Sequence, residues 1–88
     1  MVLYHSRTAR GAARAVNVSL GGILLESELP WPPVGADVEL SFSIEEYGII
    51  FSVPGKIVRL VGERQAGVQF HEESEFLKRV IEKALGVW

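Results

Sequence analysis

Asn17, Ser19, Gly21 and Gly22 make up a short segment whose residue types could hold a ligand. On an extended chain an amide and a hydroxyl two positions apart point to the same face. Val16, Val18 and Leu20 are then expected together on the opposite face. The Gly-Gly pair that follows permits a tight turn, or close approach to the backbone, because glycine adopts positive φ without steric cost. Hydrogen-bonding side chains beside exposed amides suit a small anion or a nucleotide. The same letters also describe a polar-faced strand running into a glycine turn. Positive charge lies nearby in the sequence. Residues 1–25 hold Arg7, Arg10 and Arg14 and no acidic residue, whereas residues 26–88 hold six Lys and Arg against all eleven Asp and Glu. A guanidinium offers a planar fork of donors that matches phosphate. Three arginines on an exposed hairpin would equally serve solubility.

No other grouping carries chemistry. His5 and His71 are far apart, and His71-Glu72-Glu73 lacks the second histidine of a zinc-protease helix. Glu45-Glu46 and Glu72-Glu73-Glu75 could pair carboxylates for acid–base work. The first pair falls in an expected turn. The second falls at an expected helix start, where acidic residues favour the helix dipole without any catalysis. The serines have no nucleophile elbow, and no phosphate-binding glycine loop is present. No enzyme, metal site or cofactor is expected. Tyr4 alone among the aromatics lies in the arginine-rich part, and Phe42, Phe70 and Phe76 are expected to face the core. A base-stacking platform for RNA is therefore unsupported, and a net charge of −2 with a pI near 5.6 argues against DNA or RNA as partner.

Eighty-eight residues, 48% hydrophobic and 23% charged, suit one domain with a modest core over residues 1–88. The absence of cysteine excludes disulfide scaffolds and thiolate chemistry. No signal peptide opens the chain, and no apolar run approaches the ~18–20 residues that span a bilayer. A cytoplasmic protein without membrane insertion is the expectation.

The elements that must position the polar segment are mostly strands. Val2–Ser6 is a first strand, Arg7–Gly11 a turn and Ala12–Ser19 a second strand. Gly21–Gly22 breaks the pattern before Ile23–Ser27. Pro30, Pro32 and Pro33 make Glu28–Gly35 a connection, with Trp31 covering one end of the core. In Asp37–Ile44, Val38, Leu40, Phe42 and Ile44 alternate with polar residues, the period of a half-buried strand. Glu45–Gly48 is a turn, Ile49–Val53 a strand, Pro54-Gly55 a turn or bulge, and Lys56–Val61 a further extended run. Gly62–Gln65 turns into a last strand, Ala66–Phe70. From Ser74 to Leu85 the period changes: Phe76, Leu77, Val80, Ile81, Ala84 and Leu85 define an amphipathic helix. Ser74 suits its N-cap and Gly86 its C-terminal end, and Val87-Trp88 trails it as an apolar tail. Six or seven short strands and one helix read as a small antiparallel barrel (residues 2–71) with a helix (74–85) over one open end.

With the elements in place, Asn17-Val-Ser19-Leu-Gly-Gly22 resembles the [Asp/Asn]-x-Ser-x-x-Gly motif of PilZ domains. The Pro-rich Leu29–Gly35, Lys56-Ile-Val-Arg59 and Ala66-Gly-Val-Gln-Phe70 resemble the spacer, the Val-Val-Arg strand and the Gly-x-x-Phe strand of that family, and a helix follows in both. The resemblance implies a six-stranded antiparallel β-barrel with a C-terminal helix. It also implies a bacterial second-messenger signalling module that binds cyclic di-GMP. Asn17 and Ser19 would bond guanine or phosphate, and Gly22 would allow the close turn. The family's second motif, Arg-x-x-x-Arg ahead of the first strand, has no counterpart before Val2. Its letters recur at Arg10 and Arg14, expected in the turn and second strand. Two expectations follow. In one, cyclic di-GMP binds, with Arg7, Arg10 and Arg14 or a preceding segment of a longer chain holding phosphate. In the other, the domain is an adaptor that binds no nucleotide and acts through a protein partner, as in type IV pilus biogenesis or motility, using Val87-Trp88 or the Pro-Trp-Pro-Pro loop.

Overall fold

The computed structural model describes residues 2–44 and 48–85, with Ile44 and Ile49 as backbone only. The strands are β1 Val2–His5, β2 Arg10–Val18, β3 Gly22–Glu26, β4 Asp37–Ile44, β5 Ile49–Val61 and β6 Gln65–Phe70, followed by α1 Glu75–Leu85. They close into an antiparallel barrel in the order β1-β2-β3-β6-β5-β4, so that each strand pairs with two neighbours.

Alternation builds the core. Val2 and Tyr4 of β1, Ile23 and Leu25 of β3, Val38, Leu40 and Phe42 of β4, Val53 and Ile57 of β5, and Ala66, Val68 and Phe70 of β6 all point inward and are buried. Phe51 stacks on Phe42 at 5.3 Å between ring centroids. The proline-rich connection caps one end as expected. Trp31 stacks on Tyr4 at 4.4 Å, and its indole N–H donates to the Arg64 carbonyl at 2.7 Å. Buried Ser27 ties the same end: its hydroxyl donates to the Ala12 carbonyl at 3.1 Å and accepts the Leu29 N–H at 3.2 Å.

The helix packs against β4 and β2. Ser74 caps it, its hydroxyl accepting the Leu77 N–H at 3.2 Å. Ile81 is fully buried in the barrel core, and Leu77, Ala84 and Leu85 are partly buried against the same cluster. Phe76, expected in the core, is instead 77% exposed. The buried stripe runs through Leu77 and Ile81, and Phe76 precedes Leu77 by one residue, about 100° around a helix of 3.6 residues per turn.

Several boundaries differ from expectation. The first turn is shorter, because Arg10 and Gly11 pair with His5 and Tyr4 and already belong to β2; Ser6 closes it by accepting the Ala9 N–H on its hydroxyl at 3.1 Å. Pro54-Gly55 makes neither turn nor bulge. They continue a 13-residue β5, opposite Glu39 and Val38. Pairing with β6 starts only at Gly55, so the missing N–H of Pro54 falls where that ladder has ended. Residues 45–47, including the Glu45-Glu46 pair, and the Gly86–Trp88 end lie outside the described residues.

Candidate functional site

The polar segment sits where β2 turns into β3. The Ser19 N–H donates to the Gly22 carbonyl at 2.9 Å, and the Ser19 hydroxyl donates to the same oxygen at 3.2 Å. The turn is bound to the next strand, since the Gly21 carbonyl accepts the Phe70 N–H at 2.8 Å. Neither Gly21 nor Gly22 adopts positive φ; among the described residues only Gly35, Gly48 and Gly62 do. Gly22 is needed for space. A Cβ there would stand 2.3 Å from the Val68 carbonyl oxygen of β6. What comes close to the backbone at Gly22 is therefore the neighbouring strand.

A β-bulge decides where Asn17 points. Ala15 pairs with Leu25 and Asn17 with Leu24, leaving Val16 as an extra residue in β2. Ala13 and Ala15 face inward, and unbroken alternation would send Asn17 inward as well. The extra residue reverses the parity, so that Asn17 is exposed and Val18 packs on the core. Contrary to expectation, Val16 does not share a face with Val18: it is 43% exposed, beside Asn17, while Val18 packs on the core. Core packing sets this register, because burying an unpaired amide costs more than exposing one valine.

A second bulge mirrors the first. Ile57 pairs with Val68 and Arg59 with Gly67, leaving Val58 extra in β5. Between the two bulges the pairings Asn17–Leu24, Leu24–Gly67 and Gly67–Arg59 form one row across four strands. At the usual strand spacing the row is roughly 14 Å long. Beneath it runs an open groove of about 360 Å³ bordered by Asn17, Ser19, Gly22, Arg59, Gly67 and Gln69. Among the described residues, Arg59 is the charged residue of its lining. Its arm lies over Gly67, where a Cβ would come within 2.8 Å of Arg59 Cγ and 2.9 Å of Nε. Among the described residues the side chains of Asn17, Arg59 and Gln69 have no hydrogen-bond or ion-pair partner.

The three N-terminal arginines do not line this groove. Arg7 is exposed in the β1–β2 turn. Arg10 borders a different groove with Leu3, Tyr4, His5 and Ser41. Arg14 is ion-paired with Glu26 across β2 and β3. The Arg14 side chain first, and the Gln65 side chain second, hydrogen-bond the Glu26 carboxylate and hold its pKa below the usual value. Arg10 and Arg14 both lie within β2, so the Arg-Gly-Ala-Ala-Arg letters are a strand segment with neither end in the turn. The acidic cluster sends one member to the site's edge, where Glu73 lies against the turn at Gly21. His5 and His71 are exposed, 3.8 Å from Glu39 and Asp37 respectively.

The family model described as the PilZ domain matches residues 2–85. The chain belongs to the PilZ family. Membership implies a signalling module of the cyclic di-GMP-binding type, built on the barrel and C-terminal helix described above. No curated protein and no solved structure compared with it gives a match. In this PilZ domain the Asn-x-Ser-x-x-Gly letters run from the end of β2 through the turn to the first residue of β3, and Asn17, Ser19 and Gly22 border the groove between the bulges. Arg59, Gly67 and Gln69 belong to the strands that resemble the family's Val-Val-Arg and Gly-x-x-Phe segments, with no site role expected of them from the sequence, yet they border the same groove. Their signal was weak because β5 and β6 are remote in sequence, and only the strand order β2-β3-β6-β5 brings them beside Asn17. No helix among the described residues is long and apolar enough to cross a membrane.

Proposed function

We propose that this PilZ domain is a bacterial, cytoplasmic second-messenger receptor that binds cyclic di-GMP along the groove on the outer face of β2, β3, β6 and β5. The observation that carries the reading is the outward-facing Asn17 amide, free of partners among the described residues, beside Ser19 and over an open groove. An unpaired amide offers both donors and an acceptor to a guanine edge, and the Ser19 hydroxyl keeps acceptor capacity while it closes the turn. Calorimetric titration with cyclic di-GMP tests it. Micromolar binding, weakened about tenfold or more by Asn17→Ala through loss of one or two hydrogen bonds, is the expected result. Absence of heat at high ligand concentration in the unsubstituted domain overturns it.

One observation favours a second reading. Arg7, Arg10 and Arg14 all stand away from the groove, and Arg14 is engaged by Glu26. In this reading the domain is an adaptor that binds no nucleotide and works through a protein partner, as in type IV pilus biogenesis or motility. It predicts a motility defect from surface substitutions on α1, with Asn17→Ala silent.

A further inference from the structure

We infer that Arg59 is the phosphate-binding residue of the groove, laid into position over the bare backbone of Gly67. The inference rests on the reading of the groove as a cyclic dinucleotide site, and it names the cation that this reading otherwise lacks. Three observations converge on it. Among the described residues, Arg59 is the one ionic side chain on the groove wall. It has no carboxylate partner among the described residues, unlike Arg14 on Glu26 and Arg64, 3.6 Å from Glu28. Its arm occupies the space that any side chain at position 67 would fill.

The bulge at Val58 has a part in this. It places Arg59 opposite Gly67, in the row that begins at Asn17. Arg59 leans over β6, toward the Asn17 side of the groove, and β3 separates Gly67 from Asn17. A ligand whose base meets Asn17 and Ser19 extends its phosphate along the row toward the guanidinium. A planar fork of N–H donors then meets two phosphate oxygens. Gln69 adds a neutral amide on the same wall. Gly67 is a positioning residue: a methyl there lifts the arginine arm off the strand.

The test uses the whole chain, labelled with ¹⁵N, and two probes. Cyclic di-GMP is titrated by calorimetry into the unsubstituted domain and into Arg59→Ala, Arg59→Lys, Gly67→Ala, Arg14→Ala and Asn17→Ala. Inorganic pyrophosphate is titrated while the Arg59 Nε–H signal is followed by NMR, and the backbone amide spectrum of each variant reports that the barrel is intact. Loss of one charge-assisted contact predicts about 10- to 100-fold weaker cyclic di-GMP binding in Arg59→Ala. A smaller loss is expected in Arg59→Lys, which keeps charge without the fork. A loss in Gly67→Ala together with a displaced Arg59 signal, and no change in Arg14→Ala, complete the expected pattern. If cyclic di-GMP binding falls in Asn17→Ala and persists in Arg59→Ala, the receptor reading stands and the role of Arg59 is overturned. If cyclic di-GMP does not bind while pyrophosphate still moves the Arg59 signal, the receptor reading falls and Arg59 stands as an anion site. If neither probe has an effect, both fall.

Discussion

At the scale of single residues, position 22 is constrained by its neighbour across the sheet. A Cβ at Gly22 would collide with a backbone oxygen, the Val68 carbonyl, which has no flexible end to move aside. Gly22→Ala is therefore expected to cost about 1–3 kcal/mol of stability, the usual range for overpacking, as read from urea denaturation. Gly67→Ala meets only the flexible arm of Arg59 and should cost much less. The same denaturation series tells a glycine required by the fold from one that leaves room for a side chain. Glu26 supplies a pH-dependent prediction. Its pKa is held below the usual carboxylate value, first by the Arg14 hydrogen bond and then by that of Gln65. Its contribution to stability is present above the usual carboxylate range and is lost as pH falls through the lowered folded-state value. Thermal melts across acidic pH should thus show a steeper decline for the native chain than for Glu26→Gln. Equal slopes would remove Glu26 from the account. The pair is exposed, so the difference is small and shrinks with salt.

At the scale of elements, the helix shows how one residue of offset separates core from surface. Ile81 is fully buried among barrel residues, whereas Phe76 is 77% exposed. Ile81→Ala should destabilise by about 2–5 kcal/mol through lost burial and the cavity left behind. Phe76→Ser should stay within about 0.5 kcal/mol of the native chain, as exposed positions usually do. A large loss from Phe76→Ser in the same denaturation assay would show that this ring is covered in solution. The strands obey a similar rule with period two. Where that period slips, at Val16 and Val58, the slip moves polar side chains outward: Asn17 in one case, Arg59 in the other. The two bulges are thus the elements that build the groove, because each aims its strand's polar residue at the same outer surface.

At the scale of the whole molecule, one core serves both barrel and helix. Ile81, Leu77, Ala84 and Leu85 pack in the same cluster as Leu40, Phe42 and Val53, so neither part has a separate interior. Amide protection in α1 and in β4 is expected to vanish together as urea is raised, in a single transition. Loss of α1 protection well before that of β4 would show the helix to be a detachable lid. The sequence alone determined much of this design. The alternation Val38-x-Leu40-x-Phe42 required a half-buried strand, the change of period after Ser74 required a helix, and the prolines around Trp31 required a connection. These are local consequences of side-chain direction and backbone freedom, and they needed no knowledge of neighbours. Asn17, Ser19 and Gly22 were legible for the same reason, being adjacent in one segment. The tertiary structure alone decided the remainder. The bulges follow from matching apolar residues across strands, a condition that depends on the partner strand. The closed order β2-β3-β6-β5 brings Arg59 and Gly67 beside Asn17, while Arg14, far closer in sequence, is turned to Glu26. Pairing between remote strands fixes which charge faces the groove, because hydrogen-bond register and core packing set each side chain's direction.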